Sequence, residues 1–278
     1  GDAAVKVQQL LKACEHLLEP SADAGWDARE IVCTALKIEP ARFLRAYSDE
    51  APTETVKSAL AWAERRKMGE PLQYVLGRAW FMGLPFFVNE SVLIPRQDTE
   101  TLCELALQYI KEHPVSRALD LCTGSGALAT ALAVLGNMQM DAADISRDAL
   151  AVARQNAREN KAEVTFYCGD LWDALPNGAQ YDLIVCNPPY LTQNEMGEIS
   201  VEVAKEPSLA LYGGQDGLDF YRRLAAGGRS FLAPGGCLMM EIGSKQGKSV
   251  PALFETGYET SVYQDINGLP RVVRAQAL

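Results

Sequence analysis

The chain has 278 residues, 48% of them hydrophobic and 22% charged, which is ordinary globular usage and excludes a disordered, collagenous or low-complexity protein. At roughly 100–200 residues per domain, the length suits one large domain or a large and a small one. Lys and Arg number 26 against 36 Asp and Glu, a net charge of −10 that lies almost wholly after residue 80 and repels a phosphate backbone, so stable nucleic-acid binding is not expected.

From residue 2 to Met68 the apolar positions recur at helical spacing: Val7, Leu10, Leu11, Cys14, Leu17, Leu18; then Ile31, Val32, Ala35, Leu36; then Val56, Leu60, Ala63. This predicts a small bundle of short helices over residues 1–70. Pro20-Ser21 and Pro52-Thr53 mark helix starts, and Glu39-Pro40 breaks the pattern between them. The basic run Arg65-Arg66-Lys67 reads as a solvated helix end. The bundle itself reads equally as a stabilising cap or as a docking surface.

Over residues 71–93 the period changes. Tyr74-Val75-Leu76 and Phe86-Phe87-Val88 flank a Gly83-Leu84-Pro85 break, which predicts a connecting β-hairpin. Helical spacing returns through Leu102, Leu105, Ala106, Tyr109 and Ile110. From Ser116 to the end, over a domain placed at residues 94–278, β-rich runs alternate with helical ones. The strand runs are Ala118–Leu121, Met138–Asp144, Val164–Cys168, Tyr181–Cys186, Cys237–Ile242, Thr260–Gln264 and Arg271–Ala275. Such alternation predicts an α/β fold with a doubly wound, Rossmann-like sheet of seven strands, whose last two, lacking a helix between them, form an antiparallel pair. Ligands of such sheets bind at the carboxyl ends of the strands.

Cys14, Cys33, Cys103, Cys122, Cys168, Cys186 and Cys237 are an odd set without a Cys-x-x-Cys pair, which suggests neither a disulfide framework nor a metal site. No apolar run reaches the roughly 20 residues of a membrane span, and the N-terminus lacks a signal pattern. A cytoplasmic monomer with no membrane association is expected.

Cys122-Thr123-Gly124-Ser125-Gly126 follows an apolar strand and opens a helix, so its glycines sit where backbone approaches a ligand or adopts positive φ. Asp144, ending the next strand, can accept hydrogen bonds from both hydroxyls of a ribose. Together they point to a nucleoside-bearing ligand. Gly124 to Ala129 also fits the dinucleotide pattern G-x-G-x-x-A, which leaves a nicotinamide dehydrogenase open. Asp170, with Leu171, ends the third strand where an adenine amine could be held, and this favours S-adenosylmethionine.

The fourth strand runs into Asn187-Pro188-Pro189-Tyr190. Two prolines stiffen the chain, and Pro189 forces Pro188 into an extended conformation, so the Pro188 carbonyl is not lost to a helix. With the Asn187 side-chain oxygen it offers two acceptors in fixed relation, suited to a planar NH₂ group that Tyr190 could cover. An adenine amine in DNA presents the same group. A methyltransferase of that kind would carry a basic recognition region, and none is seen.

The chain resembles the release-factor glutamine methyltransferases (the HemK/PrmC family) within the class I S-adenosylmethionine-dependent methyltransferases. The likeness is carried by Leu93-Ile94-Pro95-Arg96, Asp98-Thr99-Glu100, the glycine loop, Asp144-Ile145-Ser146, Asn187-Pro188-Pro189-Tyr190, Glu206-Pro207, Gly213-Gly214-Gln215-Asp216-Gly217-Leu218, Glu241-Ile242-Gly243 and Arg271-Val272. It departs at Cys122, where the family usually has glycine, and at Gln97, where Pro-Arg-Pro is common. Cys122 fits if its φ is negative. The resemblance implies methyl transfer from S-adenosylmethionine, leaving S-adenosylhomocysteine, to the side-chain amide of the glutamine in the Gly-Gly-Gln motif of peptide-chain release factors. Catalysis falls to Asn187, Pro188 and Tyr190, substrate binding to these and Pro189. Cofactor binding falls to Cys122, Thr123, Gly124, Ser125, Gly126, Asp144, Asp170, Leu171 and Asn187. A ribosomal-protein glutamine methyltransferase is the nearest alternative.

Overall fold

The computed structural model describes residues 4–278, so the first three residues of the expected bundle lie outside the described ones. The described residues divide into two compact units, one of residues 4–77 with 201–205 and the other of residues 78–200 with 206–278.

The first unit is helical: α1 (Val7–Leu18), α2 (Ala24–Leu36), α3 (Phe43–Ala46), α4 (Thr53–Lys67) and α5 (Leu72–Leu76). Its core takes Val7, Leu10 and Cys14 from α1, Ala28, Ile31 and Val32 from α2, and Ala59 and Ala63 from α4, all but withdrawn from solvent. The two alanines, one turn apart, let α4 approach its neighbours closely. The basic run at its end is not simply solvated. Arg66 Nε donates to buried Asp27 at 2.9 Å and Nη1 to Glu202 at 3.3 Å, and Arg65 pairs with Glu70. Glu202 belongs to the inserted 201–205 segment, which packs so closely that a Cβ on Gly69 would stand 2.6 Å from Val201 Cγ1.

One expected strand is a helix. Tyr74-Val75-Leu76 lie in α5, which ends on Gly77 in the left-handed conformation at φ 66°. Five residues closed by a helix-stopping glycine are too few for periodicity to separate helix from strand. The hairpin is formed instead by β1 (Ala79–Phe81) and β2 (Leu84–Phe86), with Met82 and Gly83, both at positive φ, as its two-residue turn.

After α6 (Gln97–Glu112), the second unit lays down β3 (Ala118–Leu121), α7 (Ala127–Leu135), β4 (Met140–Asp144), α8 (Arg147–Glu159), β5 (Val164–Cys168) and β6 (Tyr181–Cys186). A short α9 (Gln193–Met196), α10 (Asp219–Phe231), β7 (Leu232–Glu241), α11 (Ser249–Ala252), β8 (Tyr258–Gln264) and β9 (Pro270–Ala277) follow. The seven-stranded sheet runs β5-β4-β3-β6-β7-β9-β8. The first five strands in this order are parallel to one another; β9 is antiparallel to both β7 and β8. One face packs on α6 and α7 through Leu102, Ala106 and Leu132, the other on α10 and α11 through Tyr221, Leu224 and Val250. The chain leaves β3 toward β4 on one side while β6 adds on the other, which opens a crevice at the carboxyl ends of β3, β4 and β6.

Candidate active site

That crevice is a cavity of ≈ 290 Å³, near the small end of ligand clefts at about 300–1,000 Å³. Its walls include Cys122 to Ser125, Asp144, Asp170, Leu171, Asn187 and Pro189. Residues with no expected role join them: Arg96 and Thr99, Pro207 with Leu209 and Ala210, and Phe220 with Arg223 of α10.

The glycine loop is held by its own backbone. Thr123 N–H donates to the Ala143 carbonyl at 3.0 Å and Gly126 N–H to the Thr123 carbonyl at 2.8 Å. Gly124 has φ +55°, and a Cβ there would meet nothing within 4 Å, so bare backbone borders open space. Gly126 is required for packing, since its Cβ would lie 3.0 Å from Ala153 Cβ on α8. Cys122 corrects the expectation of a negative φ. It stands at φ +57° in the left-handed region, where a non-glycine residue is strained.

Asp144 accepts from Gly124 N–H at 2.9 Å and from Ser146 N–H at 2.9 Å, one on each oxygen. Burial raises its pKa while these backbone donors oppose the shift. Each oxygen keeps a lone pair for a further donor. Beneath the loop, Asp120 of β3 is fully buried and accepts from the Thr123 hydroxyl at 2.7 Å and Ala129 N–H at 3.2 Å, both on Oδ2. Its Oδ1 has no partner among the described residues, and burial pushes its carboxyl up to about 7. Asp170 is engaged by Arg223 Nη2 at 2.9 Å, which leaves one oxygen for a ligand.

At the end of β6, Asn187 turns its amide nitrogen to the Thr99 hydroxyl at 3.4 Å. No described residue donates to Asn187 Oδ1 or to the Pro188 carbonyl. Pro188 does not line this cavity, and neither does Tyr190, whose hydroxyl donates to Glu241 Oε1 at 3.3 Å. Its backbone explains why: the Tyr190 carbonyl accepts from Gln246 Nε2 at 3.3 Å, and Gly213 and Gly217 press against the same stretch at distances no Cβ could occupy.

Arg96 donates two hydrogen bonds to buried Glu206, at 2.8 and 2.7 Å. The fork binds the segment before α6 to the Pro207–Ala210 wall. His16 is exposed and His113 stacks on Tyr109 at 4.1 Å, so neither histidine reaches the cavity. Among the described residues no group of His, Cys, Asp or Glu is placed to hold a metal ion. Asp120 and Glu241, to which the motifs assign no role, each leave a signal in the sequence: a carboxylate inside an otherwise apolar strand run.

The cavity thus joins bare glycine backbone, a carboxylate at the next strand end and an uncommitted amide oxygen. That set fits a nucleoside-bearing cofactor beside an NH₂-bearing substrate. Residues 95–209 match the Methyltransferase small domain family and residues 9–77 the PrmC N-terminal domain. The release factor glutamine methyltransferase of Bacillus cereus is 35% identical, covering 98% of this chain and 99% of its own length. That of Geobacter sulfurreducens is 43% identical over 75% of this chain and 74% of its own. A methyltransferase structure from Pyrococcus furiosus superposes with TM-score 0.52 at 16% identity, covering 70% of this chain and 90% of that one, and shares the fold.

Proposed function

The chain belongs to the release factor glutamine methyltransferase family, and from that premise we propose how its own residues direct a methyl group onto the side-chain amide of the glutamine in a release factor's Gly-Gly-Gln motif. S-adenosylmethionine, when bound, supplies the electrophilic methyl group. Gly124 and its neighbours offer backbone to the cofactor, Asp144 holds the ribose hydroxyls, and the free oxygen of Asp170 with Leu171 takes the adenine end.

An amide nitrogen is a poor nucleophile, because its lone pair is delocalised by the resonance behind the peptide rotation barrier of about 18–20 kcal/mol. Asn187 Oδ1 and the Pro188 carbonyl accept the two amide hydrogens, raise electron density on nitrogen and hold it facing the cofactor cleft. Such positioning is worth roughly 7–11 kcal/mol, against about 0.5–1.5 for each hydrogen bond, so geometry dominates. Tyr190 contributes from behind, through Glu241, instead of covering the substrate. The observation that carries this reading is that Asn187 shares one cavity wall with Gly124 and Asp144 while its Oδ1 is uncommitted.

The helical unit is assigned to docking of the release factor, with Trp26 and Leu44 as large exposed apolar side chains. A net charge of −10 works against a nucleic-acid partner. All seven cysteines are free, as suits a cytoplasmic enzyme, and no helix among the described residues is long and apolar enough to cross a membrane. The test is incubation with S-adenosylmethionine and a purified release factor, followed by tandem mass spectrometry of the Gly-Gly-Gln peptide. One methyl group on the glutamine is expected; an unmodified peptide after many enzyme equivalents and hours would overturn the assignment.

A further inference from the structure

The glycine loop is held from one side by α8. Gly126 packs on Ala153, and one turn further along the same helix face stands Asn156, whose side chain is fully buried. Its amide nitrogen donates to the Ser125 carbonyl at 2.8 Å and to the Phe87 carbonyl at 2.9 Å, while its oxygen accepts from Phe87 N–H at 2.7 Å. Ser125 belongs to the loop, and Phe87 opens the stretch that runs from β2 to Arg96. We propose that Asn156 is a positioning residue for the cofactor: it fixes the spacing between the glycine loop and this second wall of the cavity, and so sets the fit of S-adenosylmethionine. The inference rests on the reading of the glycine loop as the cofactor's cradle and extends it.

Both partners need what Asn156 gives. The N–H that would close a helical turn on the Ser125 carbonyl, that of Ala129, donates to Asp120 Oδ2 instead. The carbonyl is thus an acceptor the helix does not use, in a buried loop where an unpaired one is costly. Phe87 lies just past Phe86, the last residue of the hairpin pairing, and Asn156 meets both its N–H and its carbonyl as a neighbouring strand's peptide would. From Phe87 the chain passes through buried Val88 to Val92, Leu93, Pro95 and Arg96, which line the cavity. The amide has one orientation here: turned over, its oxygen would face two carbonyls and its nitrogen an N–H.

Asn160, one turn beyond Asn156, makes the contrast. Its Nδ2 donates to the Pro85 carbonyl at 2.9 Å and to the Asn156 carbonyl at 3.0 Å, so it too holds the hairpin but bonds nothing in the glycine loop. Loss of Asn160 loosens one attachment. Loss of Asn156 frees Ser125 and Phe87 together, and the two walls are no longer held at one spacing.

Calorimetric titration of S-adenosylmethionine, together with steady-state kinetics on the full chain with a release factor, tests this. Asn156→Asp keeps the shape but, ionised, has no donor for either carbonyl. Its Kd for S-adenosylmethionine is expected to rise roughly 10-fold or more, the scale of two lost hydrogen bonds, and KM for the cofactor to follow, while KM for the release factor stays within about twofold. Asn156→Ser, too short to reach both partners, gives the same pattern and carries the test if the aspartate variant does not fold. Asn160→Ala lowers the urea midpoint and leaves the cofactor Kd and both KM values within about twofold. Partial unfolding by itself would lower kcat and the number of binding sites per chain, and would leave Kd and KM unchanged. Asn156 variants that bind the cofactor within about twofold of the unaltered chain, or an Asn160→Ala whose Kd rises as far as theirs, would each overturn the proposal. Gly124→Asn keeps the two readings apart, because asparagine tolerates left-handed backbone and its side chain would enter the open space beside Gly124. If Gly124→Asn binds the cofactor normally, the cradle reading falls; if it loses binding while the Asn156 variants do not, only the role of Asn156 falls.

Discussion

In the helical unit, Val7, Leu10, Ile31, Val32, Ala59 and Ala63 fill the interior, and Asp27, the one buried charged side chain among its described residues, is held by Arg66. In the sheet unit Asp120, Glu206 and Glu241 are buried beside the cavity, and Asp120 and Glu241 each keep an oxygen without a partner. Left-handed non-glycine residues occur in both units, Lys37 in the helical one, but Cys122 and Leu171 stand on the cleft wall itself. Unsatisfied buried carboxylates and left-handed non-glycine residues are unfavourable, and they persist where surrounding structure over-determines them. The contrast separates a unit built for packing from a unit whose strand ends hold polar groups ready for a ligand.

The contrast breaks most sharply if the cleft tolerates loss of its acceptor. Asn187→Ala is expected to reduce turnover about 10²–10³-fold, the scale of a removed transition-state hydrogen-bonding group, with calorimetric cofactor affinity retained. In the helical unit the matching substitution acts on stability alone. Ile31→Ala should lower unfolding free energy by roughly 2–5 kcal/mol in urea titration and leave cofactor affinity unchanged. Asp144→Ala should weaken S-adenosylmethionine binding about tenfold or more by calorimetry, and unchanged affinity would mean the ribose is held elsewhere.

Smaller effects sharpen the same division. Burial pushes Asp120 and Glu241 each up to about 7. Between unfolded values of about 4 and that point the folded state binds more protons, so stability from these groups is fully present at low pH and falls as pH rises. The urea midpoint should therefore be lower at pH 8 than at pH 5 (roughly 1.4 kcal/mol per unit per group at most), and Glu241→Gln should narrow the difference. Carboxylates held low by partners, such as Glu70 and Asp182, act below this window. Cys122→Gly should raise the thermal midpoint, since relief of a left-handed side chain is worth about 1 kcal/mol.

Where local chemistry decides, the residues themselves suffice. Alternating apolar runs placed the seven strands, because a parallel sheet covered on both faces needs continuous hydrophobic segments joined by amphipathic helices. The glycine loop and Asn187-Pro188-Pro189-Tyr190 were legible because each is contiguous and follows a strand end. The α5 helix stands where the residues predict a strand, since Tyr74 and Val75 favour sheets and only the turn at Gly77 reveals the helix. The sign of φ at Cys122 and the inward turn of Tyr190 were equally out of reach, each set by what packs against that residue.

By itself, then, the order of residues determined the α/β class, the strand ends that bear the cleft and the motif that meets an NH₂ group, all of them consequences of periodicity and near-neighbour chemistry. Only the tertiary structure decided that Thr99, 88 residues from Asn187, is the group its amide meets, and that the β6–β7 register brings Glu241 beside that strand end, where it takes the Tyr190 hydroxyl. The reason is physical: a hydrogen-bond chain between elements remote in sequence exists only once sheet register and helix packing have brought its members within reach.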